Sequence, residues 1–223
     1  AGVGCARGGE TVWTGERMVA VWWDEDAVFV ASLERDGTDV RNERIPLDGA
    51  RGGNVAVYNG LVGVRTYVVL DGGAERYVEF MLLDEFGNVV VPTRRVDLEY
   101  ATWARLIGTE SGWQYWTPHR GPTTWQLLSR EGDPLTEPQP FFDARRNGDA
   151  PYQDVQRVDE SSSEFLNIWQ SPTGAPDEDL HVEFIDADGN IGRAWHGPMA
   201  EPIGSDFHPH IGEDGNVRLV WHG

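Results

Sequence analysis

Two short runs in this chain of 223 residues carry side chains whose spacing suits metal binding. Asp186-Ala-Asp-Gly-Asn190 places oxygen ligands at alternate positions around a glycine, so Asp186, Asp188 and Asn190 are candidate calcium ligands. His208-Pro-His210 places two imidazoles on one face of a strand, where they could supply two ligands of a transition-metal site. Both runs also have a structural interpretation, as a hairpin turn and as the start of a strand.

Catalytic motifs give little support for an enzyme. We find no Gly-x-Ser-x-Gly nucleophile elbow, no HExxH zinc-binding pair and no phosphate-binding loop. Acidic pairs such as Asp84-Glu85 could serve a glycoside hydrolase, which needs two carboxyl groups. With 37 acidic residues in the chain, however, such pairs are expected by chance. The sequence therefore predicts a protein that is not an enzyme, with a glycoside hydrolase-like enzyme as the weaker alternative.

Aromatic side chains give a stronger indication of a ligand, because the chain has ten tryptophans. An exposed indole can stack on a sugar ring, and Asp, Asn and Arg can bind the hydroxyl groups beside it. The alternative is that these rings fill the space between sheets. Five of the tryptophans that fall outside the phase of the repeat described below are candidate ligand-binding residues: Trp23, Trp103, Trp113, Trp125 and Trp195. The in-phase Trp22 is expected to pack between blades, and Trp23 is then expected to point the other way, toward solvent or a neighbour, because strand faces alternate.

Five other aromatic residues mark an internal repeat. Each closes a run of alternating apolar residues, and the period of roughly 50 residues is typical of β-propeller blades. The five in-phase residues are Trp22, Tyr67, Trp116, Trp169 and Trp221.

Each repeat contains four strand-like runs separated by turns such as Asn59-Gly60 and Glu85-Phe-Gly-Asn88. Gly and Asn tolerate the positive φ that tight hairpins need. No apolar pattern of helical period is sustained for three turns. The sequence therefore predicts an all-β fold that forms one domain over residues 1–223. We expect a β-propeller of about five blades, in which each blade is a four-stranded antiparallel sheet. The expected units are 10–50, 51–98, 99–147, 148–204 and a partial fifth, 205–223, completed by residues 1–9 or by another chain.

Composition limits the partners. The formal charge is −19, and all 18 basic residues are Arg. The net negative charge disfavours binding to nucleic acid or to anionic membrane surfaces. No apolar run is long enough to span a bilayer, so membrane insertion is not expected. The single cysteine, Cys5, excludes an internal disulfide. Gly2-Val-Gly-Cys5 loosely resembles a lipoprotein processing site, with an ordinary free thiol as the alternative.

The Asp-Gly turns, the strand ending Leu219-Val-Trp221 and the Asp188-Gly-Asn190 hairpin resemble the degenerate propeller repeats of secreted bacterial proteins. Repeat length and tryptophan content are also similar to those of five-bladed propeller lectins of the tachylectin type. The resemblance implies an extracellular, periplasmic or cell-surface location. It predicts a non-enzymatic binding module for carbohydrate or protein. The main alternative is a structural part of a larger propeller or multi-subunit assembly, in which a partner chain or a second copy completes the fifth unit.

Overall fold

A computed structural model describes ten segments of the chain, and these segments are built from β-strands. They hold eighteen strands, and their helical structure is limited to a single 3-10 turn at Asp71–Gly73. The prediction of an all-β fold is therefore confirmed. The described segments are residues 8–98, 104–109, 112–117, 124–140, 153–158, 164–170, 179–186, 191–198, 207–211 and 216–221.

The strands form four sheets of four strands and a fifth sheet in which two strands are described. Within each sheet, consecutive strands are neighbours, so every sheet is an up-and-down antiparallel meander. The first sheet contains β1 (Gly9–Trp13), β2 (Arg17–Asp24), β3 (Ala27–Glu34) and β4 (Arg41–Pro46). The second contains β5 (Ala50–Tyr58), β6 (Leu61–Leu70), β7 (Glu75–Leu83) and β8 (Val89–Val96). The third contains β9 (Arg105–Thr109), β10 (Gly112–Thr117), β11 (Thr124–Leu128) and β12 (Gln139–Pro140). The fourth contains β13 (Gln153–Arg157), β14 (Phe165–Gln170), β15 (Asp179–Ile185) and β16 (Ile191–Pro198), and the fifth β17 (Phe207–Ile211) and β18 (Val217–Trp221).

The turn between β5 and β6 shows how the local sequence sets these hairpins. Asn59 and Gly60 are the two residues between the strands, with φ of 49° and 71°. Positive φ at both central positions matches the right-handed twist of the flanking strands, and Asn-Gly is the sequence that adopts it most readily. The predicted hairpin therefore forms at the predicted residues.

The chain divides into two compact units, residues 1–117 with 125–139 and residues 118–124 with 140–223. In the first unit, apolar cores lie between successive sheets, as expected when both faces of a sheet are covered. The core between the first and second sheets includes Val19, Val21, Trp23, Val62 and Val64. The core between the second and third sheets includes Phe80, Leu82, Leu106, Trp113 and Tyr115. In the second unit, the core of the fourth sheet is formed by Leu166, Ile168, Leu180 and Val182.

Two hairpin turns of the first unit pack on the third strand of the preceding sheet. Gly87, in the β7–β8 turn, has a φ of 80°, and a Cβ there would lie 3.0 Å from Val30 Cγ1 on β3. Gly132, which follows β11, has a φ of 88°, and a Cβ there would collide with the ring of Phe80 on β7. Glycine therefore serves two purposes at these turns, because it permits the positive φ and the close approach.

The N-terminal strand belongs to the first sheet. Gly9 is paired with Trp22 of β2, and the Gly8 carbonyl accepts a hydrogen bond from the Trp23 amide at 3.3 Å. Residues 1–7 lie outside the described segments, so completion of the fifth sheet by that stretch stays a prediction. In the part of the chain that the structure covers, we find no helix with the length and apolarity needed to cross a membrane.

Candidate functional site

The first strands of three successive sheets meet at one glutamate. β5 contacts both β1 and β9. Glu10, on β1, accepts a hydrogen bond at Oε2 from the backbone N–H of Val55 on β5, at 2.8 Å. Its Oε1 accepts a second hydrogen bond from Nη1 of Arg105 on β9, at 3.2 Å. A single carboxylate therefore links the first strands of the first, second and third sheets, and we call Glu10, Val55 and Arg105 the first-strand site.

The alternation of β1 places Glu10 at this position. Gly9, Thr11 and Trp13 are exposed, whereas Glu10 and Val12 are half-buried on the opposite face. Val12 packs against the core between the first and second sheets, so Glu10 is held beside that core. The Glu10 and Arg105 side chains are 31% and 32% exposed, so water reaches them. Because one oxygen faces a guanidinium and the other a backbone N–H, both contacts stabilise the carboxylate anion.

Two further polar side chains join the second sheet to the third. Asn54 and Arg65 are directly opposite each other on β5 and β6, and both are buried. Asn54 Nδ2 donates to the Leu106 carbonyl at 3.3 Å, and Arg65 Nη1 donates to the Ala104 carbonyl at 3.2 Å. The Arg65 guanidinium also lies within 6 Å of two ring centroids, a distance at which a cation interacts with an aromatic face. These rings belong to Tyr67 and Tyr115.

Two glycines allow neighbouring backbones to approach closely beside the first-strand site. A Cβ at Gly108 of β9 would collide with the Val57 carbonyl oxygen of β5. A Cβ at Gly53 of β5 would collide with the Arg65 carbonyl oxygen of β6. The absence of a side chain at Gly108 therefore permits the short separation between β5 and β9. Glu10 binds a residue on each of these two strands.

A second group of ionisable side chains lies on β7 and β8. Burial raises the pKa of the half-buried Glu79 carboxyl, although the positive charge of Arg95, directly opposite on β8, partly opposes that shift. Burial, and then the charges of Glu79 and Glu75, raise the pKa of the Tyr77 hydroxyl. Arg95 lies 4.4 Å from the Tyr77 ring centroid and 2.9 Å from Glu75 Oε1. A carboxyl with a raised pKa can donate a proton. However, β6 lies between β7 and β5, so this group is distinct from the first-strand site.

Two of the five candidate tryptophans are core residues. Trp23 and Trp113 are 1% and 0% exposed. Trp23 Nε1 donates to Thr66 Oγ1 at 2.9 Å, and Trp113 Nε1 donates to the Arg130 carbonyl at 2.9 Å. The prediction that Trp22 packs between blades while Trp23 points the other way is wrong, because β2 turns the Trp23 face into the core between the sheets and leaves Trp22 half-buried on the opposite face. Neither ring offers an exposed surface on which a sugar could stack.

The other candidate tryptophans are less buried or lie outside the described segments. Trp125 is half-buried and stacks on Trp116, with centroids 6.2 Å apart and planes at 24°. Trp195, on β16, is 55% exposed. Trp103 lies outside the described residues. A ligand-binding role for Trp103, Trp125 and Trp195 stays a prediction.

The metal-binding predictions are only partly covered by the structure. Asp186 is half-buried directly after β15, whereas Asp188 and Asn190 lie outside the described residues. His208 and His210 are two residues apart on β17, but the structure describes the backbone of that strand and not its side chains. Within the described residues, no three His, Cys, Asp or Glu side chains come together as a metal site would need. Calcium and transition-metal binding therefore stay predictions.

The second sheet shows how a turn resembling the calcium candidate can use its polar side chains. Asp84 Oδ1 accepts hydrogen bonds from the backbone N–H groups of Phe86 and Asn88, at 2.9 and 2.8 Å. Its Oδ2 accepts another from Asn88 Nδ2 at 2.8 Å. The carboxylate and the amide stabilise the turn itself, which is the structural interpretation offered above for such a sequence.

Sequence reasoning did not identify the first-strand site. Glu10 and Arg105 are ordinary charged residues in a chain that is one-quarter charged, and their contact joins positions far apart in sequence. Asn54 and Arg65 did carry a signal, because they are polar residues inside otherwise apolar strands. Such residues are buried only when they find hydrogen-bond partners.

No known family profile matches the chain, and no curated protein matches its sequence. Solved structures do match its fold. An endo-arabinase from Bacteroides thetaiotaomicron VPI-5482 has a TM-score of 0.54 and 12% identity, with coverage of 96% of this chain and 88% of the enzyme. The glycoside hydrolase family 43 (GH43) protein BlXynB from Bacillus licheniformis has a TM-score of 0.55 and 11% identity. That match covers 96% of this chain and 47% of BlXynB, so this chain spans about half the length of that protein.

These similarities define the class of fold. The four-stranded antiparallel sheets and the two matching structures confirm the predicted β-propeller. The prediction of a non-enzymatic binding module for carbohydrate or protein is wrong, because the two propellers reported above are an endo-arabinase and a GH43 protein. The comparison instead favours the glycoside hydrolase alternative. Since fold alone does not establish activity, the chemistry must be argued from this chain's own residues.

Proposed function

We propose that this protein is a glycoside hydrolase that cleaves a neutral polysaccharide at the first-strand site. The observation that carries the proposal is the Glu10 carboxylate, held by Val55 N–H and Arg105 where three strands meet. The similarity in fold to an endo-arabinase and to a GH43 protein supports the choice of reaction.

Hydrolysis of a glycosidic bond uses two carboxyl groups with opposite protonation states. One is protonated and gives its proton to the glycosidic oxygen as the bond to the anomeric carbon breaks. The other is ionised and either activates the attacking water or bonds to the anomeric carbon. Glu10 suits the ionised role, because a guanidinium and an N–H both stabilise its negative charge. The proton donor is then another carboxyl group.

The overall charge indicates the substrate class. A formal charge of −19 repels acidic polysaccharides at low ionic strength, whereas neutral chains meet no such barrier. Arabinan is the first polymer to test, because one of the matching structures is an endo-arabinase.

The experiment measures the reducing ends that the purified protein releases from linear arabinan, neutral galactan and neutral xylan. Glu10→Gln keeps the size of the side chain and removes its charge, and we expect the rate to fall by about a hundredfold or more. Glu79→Gln is the matched control, because Glu79 is also a half-buried glutamate but lies on β7. The Glu79→Gln variant should release reducing ends at a rate close to that of the wild type.

Two results would contradict the proposal. If the wild type releases no reducing ends from any of the three polymers, the hydrolase assignment is wrong. If it does hydrolyse one and Glu10→Gln is as active as the wild type, the reaction takes place elsewhere than the first-strand site.

A further inference from the structure

The positive charge beside Glu10 comes from a strand of another sheet. Arg105 is the first residue of β9, and its Nη1 donates to Glu10 Oε1 at 3.2 Å. The other carboxylate oxygen, Oε2, is already held by the backbone N–H of Val55 at 2.8 Å. The guanidinium therefore meets a carboxylate that is anchored at its second oxygen, and the two contacts together fix its direction.

The backbone on both sides of Arg105 is held by the second sheet. The Leu106 carbonyl accepts a hydrogen bond from Asn54 Nδ2 at 3.3 Å. The Ala104 carbonyl accepts one from Arg65 Nη1 at 3.2 Å. Ala104 and Leu106 are 1% and 4% exposed, so water competes little for these hydrogen bonds. Two buried hydrogen bonds therefore fix the piece of backbone from which the Arg105 side chain extends.

The other charged residues on the strands around Glu10 are engaged elsewhere. β1 pairs with β2 and contacts β5, which in turn contacts β9. Apart from Glu10 and Arg105, these four strands carry three charged residues, and each has a hydrogen-bond partner of its own. They are Arg17 and Asp24 at the ends of β2 and Arg51 on β5. Arg105 is therefore the residue of these strands that supplies positive charge to the Glu10 carboxylate.

We propose that Arg105 is a positioning residue for the hydrolysis, which holds Glu10 ionised and fixes the direction of its carboxylate. The proposal rests on the proposed function, in which Glu10 is the ionised carboxyl group of the reaction. A positive charge close to a carboxylate favours its ionised form. Without Arg105, Glu10 should therefore take up a proton at a higher pH, and activity should be lost at a higher pH on the acid side.

The dependence of kcat/KM on pH tests the proposal, measured on whichever of the three neutral polymers is hydrolysed. The acid limb of this profile reports protonation of the essential base in the free enzyme. In Arg105→Gln the acid limb should move to higher pH by about 0.5–1 unit, because water partly screens a pair whose side chains are about one-third exposed. A purely structural role for Arg105 would lower the rate at every pH and leave the acid limb in place.

Arg105→Lys is the conservative variant. Lysine keeps the positive charge but lacks the planar guanidinium. Its acid limb should therefore lie between those of the wild type and Arg105→Gln.

Arg51 provides a matched control. Its side chain is 32% exposed, as that of Arg105 is, and it also lies on a first strand and pairs with a glutamate, Glu25. Arg51→Gln removes one positive charge, as Arg105→Gln does, so the comparison separates the local contact from the change in overall charge. The acid limb of Arg51→Gln should coincide with that of the wild type.

Titration of Glu10 itself separates this proposal from the hydrolase assignment. In protein labelled with ¹³C at the glutamate carboxyl carbons, the Glu10 signal is the one that is missing from Glu10→Gln. Its titration midpoint should be higher in Arg105→Gln than in the wild type, and unchanged in Arg51→Gln, whether or not a polymer is hydrolysed.

The proposal is overturned if the Glu10 midpoint is the same in the wild type and in Arg105→Gln. It is also overturned if the midpoint moves while the acid limb of the active enzyme does not. A shifted midpoint in a protein that hydrolyses none of the polymers would refute the hydrolase assignment alone, and would support Arg105 as the residue that keeps Glu10 ionised.

Discussion

Replacing Glu10 should separate the free energies of its two contacts. Glu10→Ala removes the acceptor for Val55 N–H, and Val55 is only 7% exposed. A buried N–H left without a partner costs about 1–3 kcal/mol. The contact with Arg105 contributes a further ~1 kcal/mol, because both side chains are about one-third exposed and water screens the pair. Glu10→Ala should therefore lower the free energy of unfolding by about 2–4 kcal/mol.

Glu10→Gln should cost only ~1 kcal/mol, because a glutamine carbonyl can still accept from Val55 N–H while the charge pair with Arg105 is lost. Urea unfolding can be followed by tryptophan fluorescence, since Trp23 and Trp113 are buried in two different cores. Arg105→Ala is the control for the charge pair and should resemble Glu10→Gln. Equal losses for Glu10→Ala and Glu10→Gln would show that the Val55 hydrogen bond contributes little, and the reasoning would be refuted.

Two further predictions concern the second and third sheets. Gly132→Ala should destabilise the protein by about 1 kcal/mol more than Gly37→Ala. Both glycines have positive φ, but only at Gly132 would the new Cβ meet a ring, that of Phe80. Equal losses of unfolding free energy in urea would contradict this prediction. Because burial raises the pKa of Glu79, protonation of that carboxyl stabilises the fold below the unfolded pKa of 4.5, and this contribution is lost as the pH rises through the higher folded value. The unfolding free energy of the wild type relative to Glu79→Gln should therefore fall as the pH rises above about 4.5, and a difference independent of pH would contradict the shift.

Local sequence was sufficient to predict the strands and their turns. Asn59-Gly60 and Glu85–Asn88 lie between consecutive strands as predicted, because the backbone of a tight turn depends on the few residues within it. The period of the aromatic residues likewise led to the propeller, since each repeat folds into a similar sheet. These features required no knowledge of contacts between repeats.

The environment of the tryptophans could not be obtained in the same way. In β2, both faces carry apolar residues, so alternation separates Trp22 from Trp23 but does not say which face meets the next sheet. The in-phase residue proved to be half-buried, stacking on Phe29 with centroids 5.5 Å apart. The out-of-phase Trp23 entered the core and donated to Thr66. Packing between sheets decided the outcome, and packing is not contained in a repeat period.

The first-strand site was beyond sequence reasoning for a related reason. Glu10 reaches an amide 45 residues away and a guanidinium 95 residues away, and only the arrangement of three sheets brings these groups together. The same first strands also meet through apolar side chains such as Val12, Val55 and Leu106. The polar contacts of Glu10 lie beside this apolar packing. A carboxylate bound in this way cannot move freely, and a fixed charge that water can still reach is the feature that a catalytic group needs. The same contacts that join the first three sheets therefore place Glu10 where it could act on a substrate.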